Sequence, residues 1–252
     1  MTDPLVRRDL ERGVATLTLD SPANRNALSS RLVAELIEGL AWAAGEKAAR
    51  AVVLTHTGSV FCAGADLSEA TGGDPAGGPR HLVQLMRTIV TLPKPVLARV
   101  DGHVRAGGLG LIGACDLAVA GPKSTFAFTE VKLGLAPAVI SLPLLPLLEP
   151  RAASAWYLTG ATFDAREAQR IGLITRAVDE ADAGAEEFLE SLRTASPQGL
   201  AETKRLVTAQ VLRAFGEQED AMVETSTRLF GSSEAQEGMR AFLERRPPAW
   251  AQ

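Results

Sequence analysis

An α/β fold is what this sequence predicts, and three observations lead there. Short apolar runs rich in Val and Thr alternate with helix-patterned segments through the first two thirds of the chain, which argues for strands interleaved with helices rather than a sandwich. After about Pro197 the strand-like runs stop and everything to Glu244 reads as helix. With 252 residues, 46% hydrophobic and 22% charged, the composition is that of a globular chain long enough to bury a core without staples.

The elements follow in order. Val14 to Leu19 alternates apolar residues with Thr, a β signature, while Ala51 to Thr55, Val96 to Val100 and Leu117 to Ala120 read as short buried strands. Leu32, Val33, Leu36, Ile37 and Leu40 mark one face of a helix that Ser29 or Ser30 would cap. Leu82, Leu85, Met86 and Ile89 mark a second helix. Thr71 to Pro79 holds four glycines and two prolines and reads as a flexible segment. Asp164-Ala-Arg-Glu167 opens a short helix as a capping box, closed by Gly172. The tail from residue 196 to 252 needs a surface to cover, either the core or another subunit.

Several function classes drop out. The 26 basic residues are scattered among 30 acidic ones, with a net charge of −4, so no patch is built to hold nucleic acid. The two cysteines, Cys62 and Cys115, are far apart in apolar runs and suit buried, reduced thiols in a cytoplasmic protein; no metal-ligand spacing appears. The start lacks the apolar stretch of a signal peptide, and the uncharged run Leu133 to Leu148 carries three prolines and is shorter than the roughly 18 residues that span a bilayer. Gly108-Leu-Gly110-Leu-Ile-Gly113 satisfies G-x-G-x-x-G, yet the strand that follows ends in Gly121-Pro122 where a dinucleotide fold needs an acid for the ribose. The paired Gly107-Gly108 instead suits a helix start that exposes backbone N–H groups at the positive end of the dipole. His56, His81 and His103 are separated and form no triad.

Ordered motifs carry a resemblance. They are Pro22-Ala-Asn-Arg-Asn-Ala-Leu28, Phe61-Cys-Ala-Gly-Ala-Asp-Leu67, Asp101-Gly-His-Val-Arg-Ala-Gly-Gly108, Phe126-Ala-Phe-Thr-Glu-Val-Lys-Leu-Gly134, the capped segment from Ala161 and the closing Glu237-Gly-Met-Arg-Ala-Phe-Leu-Glu-Arg-Arg-Pro247. From Pro22 to Pro248 the chain resembles the enoyl-CoA hydratase/isomerase (crotonase) superfamily. The resemblance implies a crotonase core over residues 1–195, a spiral of β-β-α units, followed by a helical oligomerisation region over residues 196–252. It implies an acyl-CoA thioester as substrate, with coenzyme A part of that substrate and no separate cofactor, and a homotrimer or dimer of trimers. It places the oxyanion-hole N–H groups on Ala65 and Gly107 and the CoA wall on Ala63, Asp66 and Leu67, with Arg25 and Ala27 opposite. Small residues suit an oxyanion hole, because two donors must come within about 3 Å of the oxygen. Arg25 would pair with a CoA phosphate or stand in solvent, and Asp66 reads as a helix N-cap.

The resemblance assigns Glu130 the proton at the α-carbon, and its apolar neighbours Phe126 and Phe128 should raise its pKa. The family's first glutamate falls on Gly110, where this sequence departs from the two-glutamate pattern. That departure, with the surrounding motifs, resembles the methylglutaconyl-CoA-type hydratases, and Gly110 would then open room for a branched acyl group. Addition of water across C2–C3 is the expected activity. A Δ3,Δ2-isomerase, which needs one carboxylate, and a non-catalytic acyl-CoA binder are the alternatives.

Overall fold

The computed structural model describes residues 3–70 and 77–251. A hairpin of β1 (Val6–Glu11) and β2 (Val14–Leu19) leads into α1 (Ser30–Gly45), which returns the chain to β3 (Ala51–His56), parallel to β2. A three-part step then repeats. After β3 comes β4 (Val60–Cys62) in a second, smaller sheet, followed by α2 (Leu67–Ala70) and α3 (Gly77–Thr91). The next step runs β5 (Val96–Val100), β6 (His103–Arg105) and α4 (Gly107–Ala114). The third runs β7 (Leu117–Ala120) and β8 (Thr125–Ala127) into a 3₁₀ turn at Thr129–Leu133, then α5 (Ser141–Leu144) and α6 (Pro150–Thr159). Next come β9 (Phe163–Asp164), α7 (Ala165–Arg170) and β10 (Arg176–Ala177), and four helices finish the chain: α8 (Ala181–Thr194), α9 (Pro197–Val207), α10 (Ala209–Phe230) and α11 (Ser233–Leu243). The large sheet has the order β1-β2-β3-β5-β7-β10 and the small one β4-β6-β8-β9. This is the expected α/β spiral, each turn giving one strand to each sheet.

The local chemistry explains the elements. Strands β3, β5 and β7 are nearly continuous apolar runs because helices cover the parallel sheet. Strand β1 escaped the pattern reading: beyond Val6 its residues are exposed, and the charged VRRDLE sequence suits a solvent-facing edge strand that resists further pairing. Ser29 caps α1 by accepting from the Leu32 N–H (3.2 Å), and Leu32, Val33, Leu36 and Leu40 are buried beneath it. Asp164 caps α7 by accepting from the Glu167 N–H (2.8 Å). The reciprocal half of that capping box is not made, because Glu167 accepts from Trp156 Nε1 (3.1 Å) and pairs with Arg170. Of the glycine-rich segment, Gly77 to Pro79 form the start of α3; residues 71–76 lie outside the described residues.

The tail leans on its own core. Helix α10 packs on α3 and α5, and its Val211, Phe215 and Val223 belong to the main apolar cluster. Lys204 on α9 is 4% exposed, and its Nζ reaches Asp116 Oδ2 (2.7 Å), the Ile89 carbonyl (2.8 Å) and the Lys94 carbonyl (3.1 Å). Helix α11 lies so close to the Thr129–Leu133 turn that a Cβ on Gly238 would stand 2.5 Å from the Leu133 carbonyl.

Candidate active site

Strands β4, β6 and β8 run parallel in adjacent register, Cys62 beside Val104 and Val104 beside Phe126. Just past their C-terminal ends the chain delivers Ala65, Gly107 and Glu130 in turn. The edge of a sheet beyond the strand C-termini is where parallel α/β folds form ligand crevices.

The first two loops meet back to back. Gly64 has φ +93°, and a Cβ there would lie 2.8 Å from Ala106 Cβ and 3.4 Å from Gly107 N. Ala106 itself has φ +46° and ψ −120°, a conformation costing a non-glycine residue about 1–3 kcal/mol. That turn starts α4 at Gly107, whose N–H belongs to the unpaired first turn of the helix. Among the described residues, neither the Ala65 nor the Gly107 N–H has a protein acceptor.

A second wall is stapled to Ala63–Asp66. The Leu28 N–H donates to the Gly64 carbonyl (2.8 Å) and the Ala63 N–H to the Arg25 carbonyl (3.1 Å). Asn24 Nδ2 donates to Asp66 Oδ2 (2.7 Å). Arg25 and Asn26 both have φ +52°, and Asn26, fully buried, holds that bend. Its Oδ1 accepts from the Ser21 N–H (2.7 Å), and its Nδ2 donates to the Val60 (2.7 Å) and Thr57 (3.1 Å) carbonyls. Along this wall Arg25 is exposed, Ala27 buried, and Ala63, Asp66 and Leu67 half-buried. Asp66 begins α2 as expected, accepting from the Ser68 N–H (3.0 Å) and hydroxyl (2.6 Å). Partial burial acts to raise its pKa, but these bonds and the one from Asn24 hold it below the ordinary carboxylate value.

Glu130 sits in the 3₁₀ turn after β8, 8% exposed, and its Oε2 has no hydrogen-bond partner among the described residues. Burial pushes its carboxyl up to about 7, into the range useful for moving protons at neutral pH. The apolar setting is formed by Phe126 stacked on Phe163 (5.8 Å between centroids) and Phe128 tilted against Tyr157 (4.3 Å).

Gly110 requires a correction. The room expected there for an acyl branch is filled: a Cβ at 110 would lie 2.7 Å from Ile140 Cγ2 and 2.8 Å from Met86 Sδ. Gly110 serves the close packing of α4 against α3 and α5. Among the other residues considered, His56 is half-buried against the edge of Phe61 and accepts from the Asp101 N–H (3.2 Å); its pKa is lowered by desolvation. His81 and His103 are exposed. Cys62 and Cys115 are buried free thiols, Cys62 pushed up to about 12 by burial. Among the described residues no three His, Cys, Asp or Glu side chains cluster as metal ligands, and no helix is long and apolar enough to cross a membrane. The sequence gives no local signal for Asn26, Ala106 or Tyr157; the burial of Asn26, the positive φ of Ala106 and the contact of Tyr157 with Phe128 single them out.

The chain is similar to known proteins along its whole described length. Residues 9–252 match the family model described as enoyl-CoA hydratase/isomerase. An enoyl-CoA hydratase from Mycobacterium avium superposes with a TM-score of 0.93 at 52% identity, covering 99% of this chain and 100% of that one. A methylmalonyl-CoA decarboxylase bound to 2-nitronate-propionyl-CoA superposes at 0.85 with 25% identity, covering 97% of both chains. A mevalonyl-coenzyme A hydratase of Aspergillus fumigatus is 32% identical over 247 residues, 94% of this chain and 91% of that protein. With the spiral fold, the three loops at one sheet edge and the full-length match taken together, the chain belongs to the enoyl-CoA hydratase/isomerase family.

Proposed function

We propose that the protein is an enoyl-CoA hydratase that adds water across the C2–C3 double bond of an acyl-CoA thioester, with Glu130 as its one catalytic carboxylate. The observation that carries this reading is a buried carboxyl with a pKa near 7 on the same sheet edge as two acceptor-free N–H groups. In this scheme the thioester oxygen is held by the Ala65 and Gly107 N–H groups. Glu130 takes a proton from water, the hydroxide oxygen bonds to C3, and the C2–C3 electron pair moves toward the thioester as an enolate. Glu130 then returns the proton to C2, so one water is consumed and the carboxylate is regenerated. Residues Ala63, Asp66 and Leu67 line one side of the CoA, with Ala27 opposite and the Arg25 guanidinium on a phosphate. No further cofactor enters the scheme. We assign the protein to the cytoplasm and a homotrimer or dimer of trimers, with residues 196–252 contributing the contacts between subunits.

One observation favours a second reading. Position 110 carries no carboxylate, and a single carboxylate suffices to carry a proton from C4 to C2, as a Δ3,Δ2-enoyl-CoA isomerase does. Incubation with linear, branched and β,γ-unsaturated acyl-CoAs, following the conjugated enoyl thioester by absorbance, separates the two. A hydratase bleaches the conjugated substrates. An isomerase creates conjugation from the β,γ-unsaturated ones, and a binding protein does neither.

A further inference from the structure

Hydration needs a group that aims the water as well as one that takes its proton, and position 110 supplies none. Helix α6 packs on the Thr129–Leu133 turn and brings Tyr157 beside Phe128, two residues before Glu130. Among the described residues Glu130 Oε2 has no hydrogen-bond partner, and the buried Tyr157 hydroxyl has none beyond the Ser141 hydroxyl that approaches it. Polar oxygens left short of partners on neighbouring elements are uncommon in a protein interior, where such groups find partners or an ordered water. The Ser141 hydroxyl approaches the same phenol from α5, and its own proton goes to the Pro137 carbonyl at 2.6 Å. Serine therefore offers the phenol lone pairs only.

We propose that Tyr157, backed by Ser141, is the positioning residue for the water that Glu130 deprotonates, a role that rests on the hydratase reading above. The donor order is then fixed. Ser141 donates to Pro137, Tyr157 donates to Ser141, and the water donates one proton to Tyr157 and the other to Glu130, which leaves a lone pair of the water facing C3. Tyr157 gains and loses no proton in this arrangement, and burial holds its phenol above the ordinary value, in its neutral form.

The test compares two reactions of the full-length Tyr157→Phe protein, which keeps the ring against Phe128. One is hydration of crotonyl-CoA. The other is exchange of the C2 hydrogens of butyryl-CoA in deuterated water, followed by NMR, which needs Glu130 and the oxyanion donors but no aimed nucleophile. Hydration should lose about 10- to 100-fold in kcat, with KM and the exchange rate within about threefold of wild type. Hydration within twofold of wild type, or a parallel fall in both reactions, overturns the role of Tyr157 and leaves the hydratase reading standing. A wild-type protein that exchanges hydrogens or moves double bonds but adds no water overturns the hydratase reading and this proposal with it. Should the phenylalanine variant fail to fold, Ser141→Ala is read in the same way: a several-fold loss confined to hydration supports the chain of donors, and no loss or a parallel loss contradicts it.

Discussion

Burial of the Glu130 carboxyl raises its pKa from 4.5 to about 7, and the direction of that shift determines what it does to folding. The unfolded chain ionises this group freely above about pH 4.5, while the folded protein resists until about pH 7. Its contribution to stability is therefore fully present below pH 4.5 and is lost as pH rises through 7. Glu130→Gln removes the titration. Thermal melts should show equal Tm for variant and wild type near pH 4 and a more stable variant at pH 8, by on the order of 3 kcal/mol at most. A variant no more stable at pH 8 would mean that the carboxyl is hydrated in solution. Turnover should follow the opposite limb, rising through pH 7 as the carboxylate forms. Gly110 carries a second residue-level expectation. Glutamate at 110 must displace Ile140 and Met86, so Gly110→Glu should lose about 1–3 kcal/mol or more in urea melts and gain no hydration.

The proposed oxyanion donors are a property of elements, since both are backbone N–H groups. Ala65 follows β4, Gly107 follows β6, and the positive-φ turn at Ala106 sets where α4 begins. Gly107→Val would put a side chain 2.9 Å from Leu28 Cδ1 and 3.3 Å from Leu82 Cδ2, flexible tips that can yield, so the protein should fold. Loss or blockage of one donor removes roughly 2.7–4 kcal/mol of transition-state stabilisation, so kcat should fall about 10²- to 10³-fold while urea melts change little by comparison. How much of this was legible in the sequence differs by residue. Strands β3, β5 and β7 and the cap Ser29 carry local signals and were readable, and Ala65, Gly107 and Glu130 came with ordered motifs. The state of position 110 was not legible: a glycine opposite Ile140 and a glycine opposite a void are the same letter. Tyr157 was hidden for a similar reason, because its ring reads as part of an ordinary helix face until Phe128 is brought against it from 29 residues away. Strand β1 was missed because an exposed edge lacks the apolar alternation on which the reading depends.

At the scale of the whole molecule, the buried Lys204–Asp116 ion pair ties the helical tail to the core. Lys204 and Asp116 are 4% and 9% exposed in their side chains, and Asp116 Oδ2 also accepts from the Val96 N–H at the head of β5 (2.7 Å). Lys204→Met would leave that carboxylate buried without its cation, a loss of about 3–5 kcal/mol, and should loosen α9 together with the core in a single melting transition rather than separately. Hydrogen exchange showing the tail released while the sheet stays protected would contradict that coupling. In the proposed mechanism one carboxyl on one sheet edge carries the proton between the added water and C2. The most direct test is hydration of crotonyl-CoA in deuterated water by wild type and Glu130→Gln, with the product analysed by NMR. Wild type should give a 3-hydroxyacyl thioester with a single deuterium at C2, and the variant should turn over about 10²- to 10⁴-fold more slowly, with KM within a few-fold. A variant that keeps more than a tenth of wild-type turnover, or a wild-type product that carries deuterium but no new hydroxyl, would contradict the account.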